Sequence, residues 1–198
     1  MNKLPILLLA ILFSLNLNAA VETGSAAPDF TLKDTSGTEH SLSDFKGKYV
    51  VLEWTNHGCP FVVKYYKEGH MQALQKKMTD KGVVWLVMNS NAAGKQGHVT
   101  PDEGQKQIAD KKIKATAMLL DGDGKVGRAY DARVTPHMYL IDPEGKLIYQ
   151  GAIDSIASTK VSDIDKAESY VMSAYKAHTN GKPVASPTTK PYGCGVKY

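Results

Sequence analysis

Val50-Val51-Leu52-Glu53-Trp54-Thr55-Asn56-His57-Gly58-Cys59-Pro60-Phe61-Val62 decides how this chain is to be read. An apolar run with the pattern of a buried strand ends in a short polar turn, and a thiol and a proline follow. Proline is favoured at the first position of a helix, where its missing N–H costs nothing. The residues after it repeat their apolar members at helical spacing, so Cys59 is predicted to sit at a helix N-terminus. Unpaired backbone N–H groups and the positive end of the helix dipole stabilise a thiolate there and lower its pKa. Such a thiol is a nucleophile near neutral pH. The bland alternative is a small buried core residue, as free cysteines often are. The chain carries 2 cysteines in 198 residues, the other being Cys194.

Working outward, Val21 to Ser43 reads as an extended lead-in with an edge hairpin turning at Ser36-Gly37. One helix is predicted from Pro60 to about Asp80, with Val63, Tyr66, His70 or Met71, Leu74 and Met78 on its apolar stripe, and Gly82 beyond its end. Val83 to Met88 is continuously apolar, as in a parallel strand covered on both faces. Pro101-Asp102-Glu103 opens a helix to about Lys112, and Ala117 to Leu120 is a short strand. His137 to Ile141 and Lys146 to Ala152 form two strands joined at Asp142-Pro143-Glu144-Gly145. A last helix runs from about Asp163 to His178. This order implies an α/β domain with a central mixed sheet and helices on both faces.

Residues 1–20 carry Lys3, an apolar run from Leu4 to Leu15 and small residues at Ala19 and Ala20, the layout of a secretory signal peptide cleaved after one of those alanines. The run is too short to span a bilayer comfortably, so no stable membrane insertion is expected after cleavage. The expected organisation is a leader over 1–20, one domain over 21–180 and an irregular tail over 181–198 that carries Cys194. Twenty-four Lys and Arg against 20 Asp and Glu give a net charge of +4, too mild to argue for nucleic acid. Export, which the leader leads one to expect, places both cysteines in an oxidising compartment such as the periplasm.

Two segments in this order resemble the thioredoxin-like superfamily. Leu52-Glu53-Trp54 through Cys59-Pro60-Phe61-Val62 is similar to the redox-active turn, with Val62 where a thioredoxin has its second cysteine. Val134-Thr135-Pro136-His137-Met138-Tyr139-Leu140-Ile141-Asp142 is similar to the segment that carries a cis-proline facing that turn. Ala27-Pro28-Asp29-Phe30-Thr31-Leu32 resembles the start of exported redoxins and peroxiredoxins. The ending Tyr192-Gly193-Cys194-Gly195-Val196-Lys197-Tyr198 resembles a peroxiredoxin-like branch of the alkyl hydroperoxide reductase and thiol-specific antioxidant family. The resemblance implies a thioredoxin-like fold and an exported thiol oxidoreductase, first of all a peroxide-reducing one with Cys59 as nucleophile. It implies a peroxide or protein disulfide as substrate, a thiol protein as reductant, and no cofactor. Without a C-x-x-C pair the usual local disulfide cannot form. Peroxiredoxins place a threonine three residues before their cysteine, where this chain has Asn56, with Thr55 one further back.

The candidate site residues follow from the residues and the resemblance together. His57 lowers the pKa of Cys59 or moves a proton, or is a surface turn residue. Thr55 and Asn56 offer hydrogen bonds to a thiolate or a bound oxygen. The resemblance implies a cis bond at Pro136 that exposes the Thr135 backbone to an extended substrate, and it points to Arg133 as an arginine that holds thiolate and peroxide. Cys194 has three readings: a resolving thiol that condenses with a Cys59 sulfenic acid, half of a permanent disulfide closing about 135 residues and adding on the order of 4–5 kcal/mol, or an unrelated thiol. Disulfide exchange with exported proteins is the second functional reading. The third is a redox-inactive binding or metallochaperone module using Cys59 with His57 or His137. Asp121-Gly122-Asp123-Gly124-Lys125 lacks the third ligand and twelfth-position glutamate of a calcium loop, and is expected to be a turn.

Overall fold

In the computed structural model, which describes residues 21–198, the apolar run becomes strand β3 (Val50–Trp54), buried along its whole length. The expected leader over 1–20 lies outside the described residues. Before β3 come β1 (Thr31–Lys33) and β2 (Glu39–Ser41), an antiparallel hairpin, and a 3-10 turn at Leu42–Phe45. After it come β4 (Val84–Asn89), β5 (Ala117–Leu120), β6 (Val134–Thr135), β7 (His137–Ile141), β8 (Leu147–Gly151) and β9 (Cys194–Gly195). The central sheet has the order β5-β4-β3-β7-β8, with β3, β4 and β5 parallel and β7 and β8 antiparallel to their neighbours. The fold is thioredoxin-like, a mixed sheet with helices on both faces.

Side chains alternate across the sheet, so each strand feeds two cores. Val51, Val87, Met138 and Leu140 face a core closed by α1 (Pro60–Lys67), α2 (His70–Thr79) and α5 (Tyr170–Thr179). Val50, Leu52, Trp54, Leu86, Met88 and Tyr139 face the other, where α4 (Lys125–Ala129) contributes Val126 and the lead-in contributes Phe30. Each fully buried Val, Leu or Met contributes about 1.5–3 kcal/mol relative to exposure. The helix α3 (Pro101–Asp110) starts as its sequence requires, with Thr100 and Glu103 in a reciprocal capping box and Pro101 in the first turn.

Two predicted helices are broken. The helix expected from Pro60 to Asp80 is α1 and α2, separated at Gly69, whose φ of +84° ends one helix and begins the next. The apolar stripe runs on across the break because both helices pack on the same core. The helix expected from Asp163 is a 3-10 segment at Val161–Lys166 followed by α5. Between them Ser169 forms a β-bridge with Asp154 and Glu168 O accepts from Ser155 N, so long-range backbone pairing overrides local helical preference. The Asp121–Gly124 stretch is a turn whose buried Asp121 accepts from the amides of Val126 and Gly127 and from the Ser90 hydroxyl. No helix among the described residues is long and apolar enough to cross a membrane.

Sheet register positions the site. Trp54 pairs with His137 across the antiparallel β3–β7 ladder, so the residues that follow Trp54 lie beside those that precede His137.

Candidate functional site

Cys59 is the N-cap of α1, in extended conformation at φ −82° and ψ 126°, with Pro60 in the first helical turn. Its N–H donates to Asn56 O at 2.8 Å, which closes the turn, and its carbonyl accepts from Val62 and Val63. The residue is 1% exposed. Its Sγ donates to Thr135 O at 3.1 Å. The Thr135–Pro136 peptide bond is cis.

The tail completes the site. β9 pairs antiparallel with β6, placing Cys194 opposite Thr135 and Gly195 opposite Val134. Thr135 Oγ1 donates to Cys194 O at 3.4 Å. Gly193 makes this close approach possible: it has φ +140°, and a Cβ there would stand 1.9 Å from Thr135 O. Cys194 is partly exposed, and both cysteines are free thiols. Their side chains are close enough that each shifts the pKa of the other. Burial pushes the Cys59 thiol up, but hydrogen bonds from the Cys194 side chain and backbone and from the amides of Val62 and Phe61 outweigh it, so its pKa lies below the ordinary thiol value. The Cys194 thiol is pushed up to about 11, by burial first and then by its hydrogen bond to and charge repulsion from Cys59.

The tail is fastened on both sides of Cys194. Ahead of it, Gln150 and Thr189 exchange backbone bonds with the tail and β8, and the Tyr192 hydroxyl binds Asp154 while its ring meets Phe61 edge-on. Beyond it, Val196 N donates to Arg133 O at 3.0 Å, Lys197 bonds Asn91 and Ala92, and the Tyr198 hydroxyl donates to Ala132 O at 2.6 Å. Asp154 also accepts from the buried ammonium of Lys64 at 3.1 Å and from the Tyr65 hydroxyl, both on α1. One carboxylate thus ties the tail to the helix that begins at Cys59.

The other predicted residues fall into distinct places. Asn56 is buried and builds the turn: its Oδ1 accepts from Gly58 N at 2.9 Å, and its Nδ2 donates to Gln96 at 2.9 Å. Thr55 is buried with a hydroxyl that finds no hydrogen-bond partner among the described residues. His57 packs edge-on against Tyr66 with ring centroids 4.6 Å apart. Burial, helped by the charge of Lys111, lowers its pKa to about 3, so it is neutral at physiological pH and brings no positive charge to Cys59. A polar cleft of about 480 Å³ opens on the His57 and Gly58 side of the turn, beside His98 and Lys111, and does not reach Cys59. Arg133 supplies its backbone to the tail, while its exposed guanidinium is engaged by Asp131. His137 is buried against the Tyr139 hydroxyl at 3.1 Å. Among the described residues, no three His, Cys, Asp or Glu side chains are grouped to hold a metal ion.

Sequence reasoning gave no role to Glu53 or Lys64. Glu53 is fully buried and accepts from the Tyr66 hydroxyl at 2.7 Å, Trp85 Nε1 at 2.8 Å and Gln75 Nε2 at 3.0 Å. Burial outweighs these bonds and raises its pKa to about 7. The readable signal was a carboxylate in the middle of an apolar strand; for Lys64 there was none.

The family model described as Redoxin matches residues 22–167. The thiol-disulfide oxidoreductase ResA of Bacillus subtilis (strain 168) is 31% identical over 134 residues, covering 65% of this chain and 66% of its own length. That of Geobacillus kaustophilus (strain HTA426) is 30% identical over 149 residues, 73% of this chain and 80% of its own length. An uncharacterized conserved protein from Geobacillus kaustophilus superposes with a TM-score of 0.75 at 26% identity, covering 89% of this chain and 92% of that one. The thioredoxin domain of a thiol-disulfide oxidoreductase from Bacteroides vulgatus does so at 0.53 and 26%, covering 74% and 98%.

Proposed function

The chain belongs to the Redoxin family and is a thiol oxidoreductase, and from that premise we propose that it exchanges disulfides with other proteins through Cys59 and Cys194 acting as one dithiol. The observation that carries this reading is the pairing of Cys194 with Thr135, which sets its thiol against that of Cys59. The tail supplies the second sulfur that Val62 does not. The thioredoxin turn keeps its helix-capping cysteine and takes that cysteine's partner from the far end of the chain.

The chemistry balances without a cofactor. The reduced pair gives up two electrons and two protons to a substrate disulfide, which becomes two thiols, and Cys59 and Cys194 become linked. A thiol protein restores the pair by the reverse exchange. Relatives named thiol-disulfide oxidoreductases support exchange better than the peroxide reduction expected first. The side chains offered for holding peroxide also favour exchange, because Asn56 is committed to Gly58 and Gln96, and the Arg133 guanidinium to Asp131. The leader read over residues 1–20 would place this exchange outside the cytoplasm, with exported proteins as substrates.

The test is to mix the reduced chain with a peptide disulfide or, in parallel, with stoichiometric hydrogen peroxide, then quench with an alkylating agent and map both cysteines by mass spectrometry. The expected outcome is a 59–194 disulfide with release of two peptide thiols, formed faster than by peroxide. A chain that stays reduced with the peptide, or yields only a Cys59 sulfenic acid with peroxide, overturns the reading.

A further inference from the structure

We propose that a partner thiol attacks Cys194, from the outer side of the tail, and that Cys59 is the buried leaving sulfur that no protein partner touches while the tail is docked. The inference rests on the exchange reading and adds to it which sulfur is attacked and from where.

Three observations carry it. The first is access. Cys59 is 1% exposed, enclosed by Thr135 and the tail, whereas Cys194 is partly exposed. Glycines flank Cys194, and the nearest atom to a Cβ built on Gly195 is 3.9 Å away, so the backbone on that side is open. The second is occupancy. An extended substrate facing the cis-proline would pair with the Val134–Thr135 backbone, and β9 already holds that edge. The tail is fastened at Tyr192 before Cys194 and at Val196, Lys197 and Tyr198 after it, so opening a path to Cys59 would break several bonds, whereas reaching Cys194 breaks none. The third is chemical: in exchange, the sulfur whose thiolate is better stabilised leaves faster, and the Cys194 backbone with the amides of Val62 and Phe61 stabilises the Cys59 thiolate.

A thiol of a two-cysteine partner loses its proton to solvent, its sulfur bonds to Cys194 Sγ, the 59–194 bond breaks, and Cys59 departs as thiolate. The partner's second thiolate then attacks the partner sulfur of this mixed disulfide and releases Cys194, which takes up a proton. The chain's disulfide is reduced and the partner's dithiol is oxidised, two electrons in each case. β9 stays in place throughout, so the tail is a built-in stand-in for a substrate strand, and the partner docks on its outer side.

The experiment uses the full oxidised chain with reduced glutathione as the probe thiol, quenched in acid within seconds, alkylated and peptide-mapped. Glutathione on Cys194 with Cys59 alkylated is the expected result, and glutathione on Cys59 overturns the inference while leaving the exchange reading intact. If oxidation never links 59 to 194, the exchange reading itself fails. A second measurement compares single-cysteine variants with Ellman's reagent: Cys194 in Cys59→Ser should react about tenfold or more faster than Cys59 in Cys194→Ser, and the reverse order overturns the inference.

Discussion

The two walls of the site are built by different kinds of rule. The wall from Trp54 to Val63 is local: a strand runs out, Asn56 closes a turn, and a cysteine caps a helix that begins at a proline. The wall opposite is assembled from distant pieces, with Val134–Thr135 meeting Cys194–Gly195 through a two-residue ladder. The first wall supplies the amides of Val62 and Phe61 to the Cys59 thiolate, and the larger part of its stabilisation comes across the gap from Cys194. The second sets Cys194 beside that sulfur, so on the exchange reading proposed above redox cycling depends on whether the tail is docked. A local turn places the sulfur, and a distant strap both stabilises its thiolate and covers it.

Asp154 joins the two walls, and removing it should have the largest effect. Its carboxylate compensates Lys64, whose buried ammonium otherwise meets Ile156 O at 3.4 Å and the face of the Tyr65 ring, and it binds Tyr65 on α1 and Tyr192 on the tail. Breaking a buried pair by deleting one partner typically costs about 3–5 kcal/mol. Asp154→Ala should lower the free energy of urea unfolding by about that amount and should also reduce the yield of 59–194 disulfide in a redox buffer. A loss under about 1 kcal/mol would mean that Lys64 finds compensation elsewhere and that the walls stand independently.

The same division explains what could be read beforehand. Cys59 at a helix start, the Asp142–Gly145 hairpin and the capped start of α3 are each decided within a few residues, and their residue types declare them. Gly69 was legible in principle, but the apolar stripe continues past it because α1 and α2 share a core. Lys64 was not legible, since a lysine on a helix is ordinarily solvated and only the carboxylate ninety positions on accounts for its burial. Nor was the docking of Cys194: two residues have no periodicity, and their pairing depends on a clearance at Gly193 that belongs to the fold.

Glu53 sharpens the comparison from the local side, because its titration should leave the tail untouched. Its folded pKa of about 7 stands above the ordinary carboxylate value of 4.5. Below pH 4.5 both folded and unfolded chains hold the proton and nothing is lost. As pH rises from there toward 7, the unfolded chain ionises first, so stability falls, and above 7 the full cost, on the order of 3 kcal/mol, is present. Glu53→Gln should remove that slope: between pH 5 and pH 8 the parent should lose about 2–3 kcal/mol more than the variant in urea unfolding. Taking the difference cancels the opposite contribution of His57 and His137, which are held neutral when folded. Equal pH dependence in the two proteins would show that the carboxyl is not held protonated by its burial.

Gly193 tests the distant wall alone and should have the smallest effect on stability. Its φ of +140° disfavours any side chain, and a Cβ would meet the carbonyl of Thr135, a backbone atom that cannot swing away. Gly193→Ala therefore has two outcomes open to it, a strained docked tail or a released one, and the strain of the first, about 1–3 kcal/mol, sets an upper limit on the stability change. Release is favoured wherever the bonds at Val196, Lys197 and Tyr198 are worth less than the strain. The expected result is a small shift in unfolding, together with a marked fall in 59–194 disulfide at equilibrium with glutathione and faster alkylation of Cys59. If Cys59 stays shielded and the disulfide forms as in the parent, the tail does not depend on close backbone approach at Gly193, and the distant wall is held by its outer anchors.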